Sequence, residues 1–155
     1  LFKNKDWRRK LDNNWVLNKE NEKLEIKGFN WLSVQHYLYA SRFSNLPDIY
    51  SKFTKDNEET SSVELAKKYY DKLVSTYKSK ILSEEEYKKE LPKFLTEALM
   101  AKFTTSKDGS QIFNQEYNEI LLLTGNSKIN IYKPGKGGGI YEATQLMKVR
   151  EVLAK

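Results

Sequence analysis

The chain has no cysteine, one histidine, three prolines and two methionines among its 155 residues. Lack of cysteine excludes a disulfide scaffold, a thiolate nucleophile and any cysteine-ligated zinc or iron–sulfur centre. A single histidine excludes the common multi-histidine metal sites. Long apolar runs are missing too. None exceeds four residues, as in Ile120–Leu123, far short of the ~20 that cross a bilayer, so no membrane partner is expected. The opening Leu1-Phe2-Lys3-Asn4-Lys5 has neither the apolar core of a secretory signal nor an initiator methionine. An intracellular, cytoplasmic chain, processed or excerpted from something longer, is the expectation. No cofactor is expected.

What is present suits one folded unit. Hydrophobic residues make up 39% and aromatics 13% of the chain, enough to bury a core and to exclude wholesale disorder. The length fits a single domain over residues 1–155, with residues 1–10 as a flexible or linker segment. The formal charge is +6, from 27 basic and 21 acidic side chains. It is spread along the chain: +3 over residues 1–28, +1 over 29–103 and +2 over 104–155. With 23 lysines and 12 asparagines, AT-rich codon usage accounts for the balance as readily as an anionic partner does. The densest basic cluster, Arg8-Arg9-Lys10 beside Trp7, reads either as a nucleic-acid contact or as a solvated terminal segment.

Helical periodicity dominates the middle. Val63, Ala66, Tyr70, Leu73, Val74 and Tyr77 recur at spacings of three and four, so Ser61–Lys80 is predicted to place them on one helix face. Ser61 with Glu64 reads as a capping box, as does Ser83 with Glu86 ahead of a second helix reaching Phe103. Pro92 lies inside that helix and is expected to kink or divide it. Further helices are predicted at Ser33–Phe43, Pro47–Phe53, Ser110–Leu123 (stopped by Gly125) and Ile140–Ala154. Partial alternation marks strands at Lys23–Phe29 and Ile129–Tyr132. The fold class is therefore mainly α (α+β): one multihelical domain with a small β element.

Few residues stand out for chemistry. His36 sits between Gln35 and Tyr37 on a predicted helix and reads as a hydrogen-bonded structural residue or as a catalyst. No second histidine shares a metal with it. Glu84-Glu85-Glu86 reads as the acidic first turn of a helix or, less simply, as a metal site. The break Lys133-Pro134-Gly135-Lys136-Gly137-Gly138-Gly139 precedes the helix predicted from Ile140. Its backbone N–H groups suit a phosphate, yet it matches neither the Walker A pattern nor the full dinucleotide fingerprint. A plain connector is the other reading.

One stretch resembles a known family. Trp31-Leu32-Ser33-Val34-Gln35-His36-Tyr37-Leu38-Tyr39-Ala40-Ser41-Arg42-Phe43 is similar to the signature helix of the NADAR (YbiA-like) superfamily, which carries Glu-His-Tyr, then Ala and Lys-Phe. Leu11-Asp12-Asn13-Asn14-Trp15 resembles its upstream Leu-Ser-Asn-Phe region. Glu97–Phe103 resembles its Ala-Lys-Phe helix end, and Ile120–Asn126 its Leu-Leu-x-Thr-Gly segment. Leu146-Met147-Lys148-Val149-Arg150 is similar to its closing Leu-Met-x-Val-Arg helix. The five matches are short and fall in the family's order.

The resemblance implies cleavage of N-glycosidic bonds in ribose-phosphate compounds: ADP-ribose on nucleic-acid guanine, or intermediates of the riboflavin pathway. Such a reaction passes through an oxocarbenium-like sugar that a carboxylate stabilises. The family's glutamate stands before its histidine; here that position is Gln35, whose amide cannot take up a proton or carry negative charge. The family's Asp-Trp corresponds to Glu86-Tyr87, and its Gly-x-Asn-x-Leu-Gly is absent where this chain has Gly139-Ile140-Tyr141-Glu142-Ala143. The resemblance thus assigns Gln35, Glu86 and Glu142 as candidate catalytic residues. Asn14, Trp31, His36, Arg42, Phe43, Lys102, Gly137 and Gly138 are candidate ligand contacts. Two outcomes stay open: an active N-glycosidase, or a degenerate module that binds ADP-ribose or a ribose-phosphate, alone or on nucleic acid, within a larger assembly.

Overall fold

Residues 6–133 and 135–155 are described by a computed structural model. Its element order is α1 (Trp7–Lys10), β1 (Glu25–Ile26), β2 (Phe29–Asn30), α2 (Val34–Ser41), α3 (Pro47–Tyr50), α4 (Val63–Thr76), α5 (Glu84–Phe103), β3 (Ser106–Asp108), β4 (Gln111–Phe113), α6 (Gln115–Leu123), β5 (Asn130–Lys133), β6 (Gly139–Glu142) and α7 (Thr144–Leu153). Short 3-10 turns cover Ser51–Phe53 and Glu58–Thr60. The three strand pairs are separate antiparallel hairpins. The domain is mainly α with small β elements, as the periodicity implies. No helix among the described residues is long and apolar enough to cross a membrane.

Local chemistry explains where the helices start. Ser33 caps α2, its hydroxyl accepting the His36 N–H at 3.2 Å. Ser83 and Glu86 form a reciprocal capping box at the head of α5, both bonds 3.1 Å, satisfying two amides that the first turn leaves without partners. The 3-10 turn ending at Thr60 takes up Ser61, so the cap of α4 falls one residue later, on Ser62. Pro92 does not divide α5, which runs unbroken for 20 residues. Pro92 is exposed, and water can serve the carbonyl left without its helical donor.

Helix α2 lies at the centre, packed on α4 and α5. Val34, Tyr37, Ala40 and the following Phe43 are fully buried, as is Trp31 just ahead. They meet Ala98, Leu99 and Phe103 of α5, while Tyr117 and Leu121 of α6 and Val149 of α7 close the core. Burying one such aromatic completely stabilises the fold by about 2–3 kcal/mol.

Three expectations need correction. The strand expected at Lys23–Phe29 is a hairpin, because Lys27 and Gly28 both take positive φ (55° and 82°), the geometry of a type I′ turn. The helix expected from Ser110 begins at Gln115, since 106–113 is the β3–β4 hairpin with Lys107 opposite Ile112. The helix expected from Ile140 begins at Thr144; Gly139–Glu142 pairs with Asn130–Lys133 instead. At the N-terminus, residues 7–10 form α1 with Lys10 buried and ion-paired to Glu116. The remainder of the expected linker, Leu1–Lys5, lies outside the described residues, as does Pro134.

Candidate functional site

The loop of residues 12–15 joins three of the segments that carry the resemblance. The Asn14 N–H donates to Asp12 Oδ1 at 2.8 Å, which folds the loop into an Asx turn. This turn presents consecutive carbonyls. Asp12 O accepts from Lys102 Nζ at 2.9 Å, and Asn13 O accepts from the Gln35 N–H at 3.0 Å. The last turn of α5 and the first turn of α2 are thereby fixed to one loop. Trp15 Nε1 continues the network to the Tyr117 hydroxyl at 3.0 Å.

Lys102 is fully buried, its Nζ 5.1 Å from the Phe103 ring centre and 5.5 Å from that of Tyr117. Loss of hydration pushes its ammonium down to about 7, against the pull of Asp12 and Glu22. Glu22 is itself buried and bonded to the Tyr117 hydroxyl, which burial and that bond hold protonated well beyond the ordinary phenol range. Asn114 closes this side. Its amide donates to Lys23 O at 2.6 Å and Ala101 O at 3.2 Å, and its Oδ1 accepts from the Lys23 N–H at 2.9 Å.

His36 points elsewhere. It is buried, with Nδ1 2.7 Å from Ser33 Oγ and Nε2 2.8 Å from Thr60 O. A carbonyl only accepts, so Nε2 carries the proton and the Ser33 hydroxyl donates to Nδ1. Burial lowers the ring's pKa, keeping it neutral. Trp31 donates from Nε1 to Ile26 O at 3.1 Å. Arg42 donates from Nε to Leu82 O and from a terminal nitrogen to the Tyr70 hydroxyl, both at 3.1 Å. Phe43 stacks on Phe53 with ring centres 5.7 Å apart.

Of the assigned residues, then, Asn14, Gln35 and Lys102 come together around the loop. Asn14 is exposed and Gln35 half-buried, the latter's side chain bonded to the Tyr39 hydroxyl. Glu86 is exposed and held by Ser83, whose N–H keeps its carboxyl below the usual range. Glu142 lies on β6, not at a helix start, and pairs with Lys128 at 3.1 Å. Gly137 and Gly138 form the tip between β5 and β6, five or more residues ahead of α7, so no helix N-terminus stands behind them. Gly138 answers a packing need: a Cβ there would lie 2.0 Å from Lys133 O.

One carboxylate escaped the sequence reading. Glu97 accepts from the buried Tyr37 hydroxyl, lies 3.9 Å from Lys27 Nζ, and lines an open groove of about 480 Å³ with Pro92, Lys93, Thr96, Gln145 and Lys148. Tyr37 and Glu97 are 60 positions apart, so no local spacing announces the pair. A second groove, about 390 Å³, runs along β3 and α6. Neither groove includes a residue assigned from the resemblance. No group of three or more histidine or acidic side chains able to hold a metal occurs among the described residues. The chain matches no protein-family model, no curated protein and no solved structure.

Proposed function

We propose that this chain is a NADAR-like domain that has kept the scaffold of a ribose-phosphate site and lost turnover. In this reading it binds ADP-ribose or a related ribose-phosphate, free or on nucleic acid, as a module of a larger protein or assembly. One observation carries it: the polar side chains that would serve a substrate are already occupied by the protein. His36 is held by Ser33 and Thr60, Arg42 by Leu82 and Tyr70, and Lys102 by Asp12. Gln35 supplies no charge where the family has a carboxylate, and Glu86 and Glu142 are engaged elsewhere. Exposed Asn14 is the assigned group left to touch a ligand at the loop, with half-buried Gln35, shared with the Tyr39 hydroxyl, beside it.

The family part of the reading is supported by how the matched segments meet. Residues 12–13 hold Gln35 and Lys102, and Arg150 donates to Thr124 Oγ1 at 2.8 Å and Ser127 O at 2.7 Å. Three of the matched segments therefore meet at the loop of residues 12–15, and the other two meet at Arg150.

The alternative, an active N-glycosidase acting on guanine-linked ADP-ribose or a riboflavin-pathway N-glycoside, is favoured by Glu97. It is a carboxylate at a groove, held by Tyr37 and Lys27. Assays of base release from both substrates separate the readings. Wild-type protein is expected to release no base. Gln35→Glu is expected to gain turnover, since one positioned acid–base group contributes ~10²–10⁴ in rate. Wild-type turnover abolished by Glu97→Gln establishes the alternative.

A further inference from the structure

The hairpin formed by β5 and β6 carries apolar surface that none of the described residues covers. Tyr132 and Ile140 face each other in register and are 70% and 72% exposed. They are the most exposed of the large hydrophobic side chains among the described residues. Ile131 and Tyr141, the next cross-strand pair, project from the opposite face and are exposed too. Neither strand has a further partner among the described residues. A lone two-stranded hairpin is marginal in water, and concentrated exposed apolar side chains mark interaction sites.

Charge selects the partner. Three lysines, Lys128, Lys133 and Lys136, stand on or beside the hairpin against one acid, Glu142, which Lys128 already engages. Lys133 and Lys136 are exposed, and Lys133 Nζ lies 5.3 Å from the Tyr141 ring centre. Aromatic rings at the surface with ammonium groups beside them are what single-stranded nucleic acid requires. Bases stack on the rings without regard to sequence, and the lysines meet the phosphates. Arg8-Arg9-Lys10, the cluster singled out in the sequence, offers less: Lys10 is buried against Glu116.

We infer that the β5–β6 hairpin is a single-stranded nucleic-acid contact, in which Tyr132 with Ile140 stacks a base on one face while the strand's phosphates pass over the tip to Lys136 and to Lys133, which lies beside Tyr141 on the other face. This surface is separate from the loop of residues 12–15 and does not depend on the ribose-phosphate reading.

The test is fluorescence anisotropy with a labelled oligothymidylate of about 12 nucleotides, in the range of natural single-strand sites, over a salt series starting at about 50 mM. The probe carries no ADP-ribose, so its failure leaves the proposed function untouched. Wild-type protein is expected to bind, and more tightly than it binds a duplex of the same length. Tyr132→Ala, at a solvent-exposed position that the core does not use, is expected to weaken binding about 5- to 150-fold, the loss of one stacked base. Lys133→Glu/Lys136→Glu is expected to flatten the log K against log salt slope by about 1.4, two phosphate contacts. Equal affinity for wild type and Tyr132→Ala overturns the inference, as does no binding at the lowest salt. Loss on Arg8→Glu/Arg9→Glu with hairpin variants unaffected also overturns it. So does concentration-dependent self-association abolished by Tyr132→Ala, which assigns the surface to a second copy of the chain.

Discussion

The ammonium of Lys102 donates to the carbonyl oxygen of Asp12 at 2.9 Å across 90 positions of sequence. With Nζ fully buried and its pKa lowered to about 7 by lost hydration, the unfolded chain, near 10.4 at this side chain, binds more protons between pH ~7 and ~10. Stability therefore rises with pH across that window. Above pH ~10 the sign reverses, because Tyr37, Tyr87 and Tyr117 keep their phenolic protons in the fold longer than in the unfolded chain. Thermal melts should rise from pH 7 to a maximum below 10, and Lys102→Met should flatten the rise. A flat wild-type profile contradicts the burial argument.

His36 joins α2 to the 3-10 turn at Thr60 through Nε2. His36→Ala leaves that carbonyl without a partner, takes away the acceptor of the Ser33 hydroxyl proton and opens a cavity, so equilibrium denaturation should show a loss of about 2–4 kcal/mol. The ring's depressed pKa adds a pH dependence of its own. The unfolded chain takes up the proton first as pH falls through ~6.5, so stability falls there, and His36→Ala should remove that slope.

Much of the helical layout was legible because capping is local. Ser33, and Ser83 with Glu86, lie within three residues of the amides they satisfy. Partial alternation also marked β5, expected at Ile129–Tyr132 and found at Asn130–Lys133, but its partner β6 and the β3–β4 hairpin were not legible, because strands of three or four residues hold too few alternations to compete with helical spacing. Ile140 and Tyr141, read there as the first turn of a helix, are strand residues facing Tyr132 and Ile131. The site divided the same way. Resemblance placed Asn14, Gln35 and Lys102 in one neighbourhood, but Glu97 meets Tyr37 only through packing of α5 on α2, which no motif encodes.

Glu86 and Glu142 serve structure in this account. Ser83→Ala should cost about 1 kcal/mol as the cap of α5 is lost. Glu86→Gln should lower the melting temperature in the same direction. Neither Glu86→Gln nor Glu142→Gln should change ADP-ribose affinity by calorimetry; a weakening by either places that carboxylate in the ligand site.

The central claim is that a ribose-phosphate site survives where the loop of residues 12–15 holds α2 and α5. Titration of ADP-ribose into isotopically labelled protein, followed by amide chemical shifts, tests it most directly. The account predicts saturable shifts concentrated at residues 13–15, 35–36 and 102–103. No shifts, or shifts confined to the groove residues 93–97 and 145–148, contradict it.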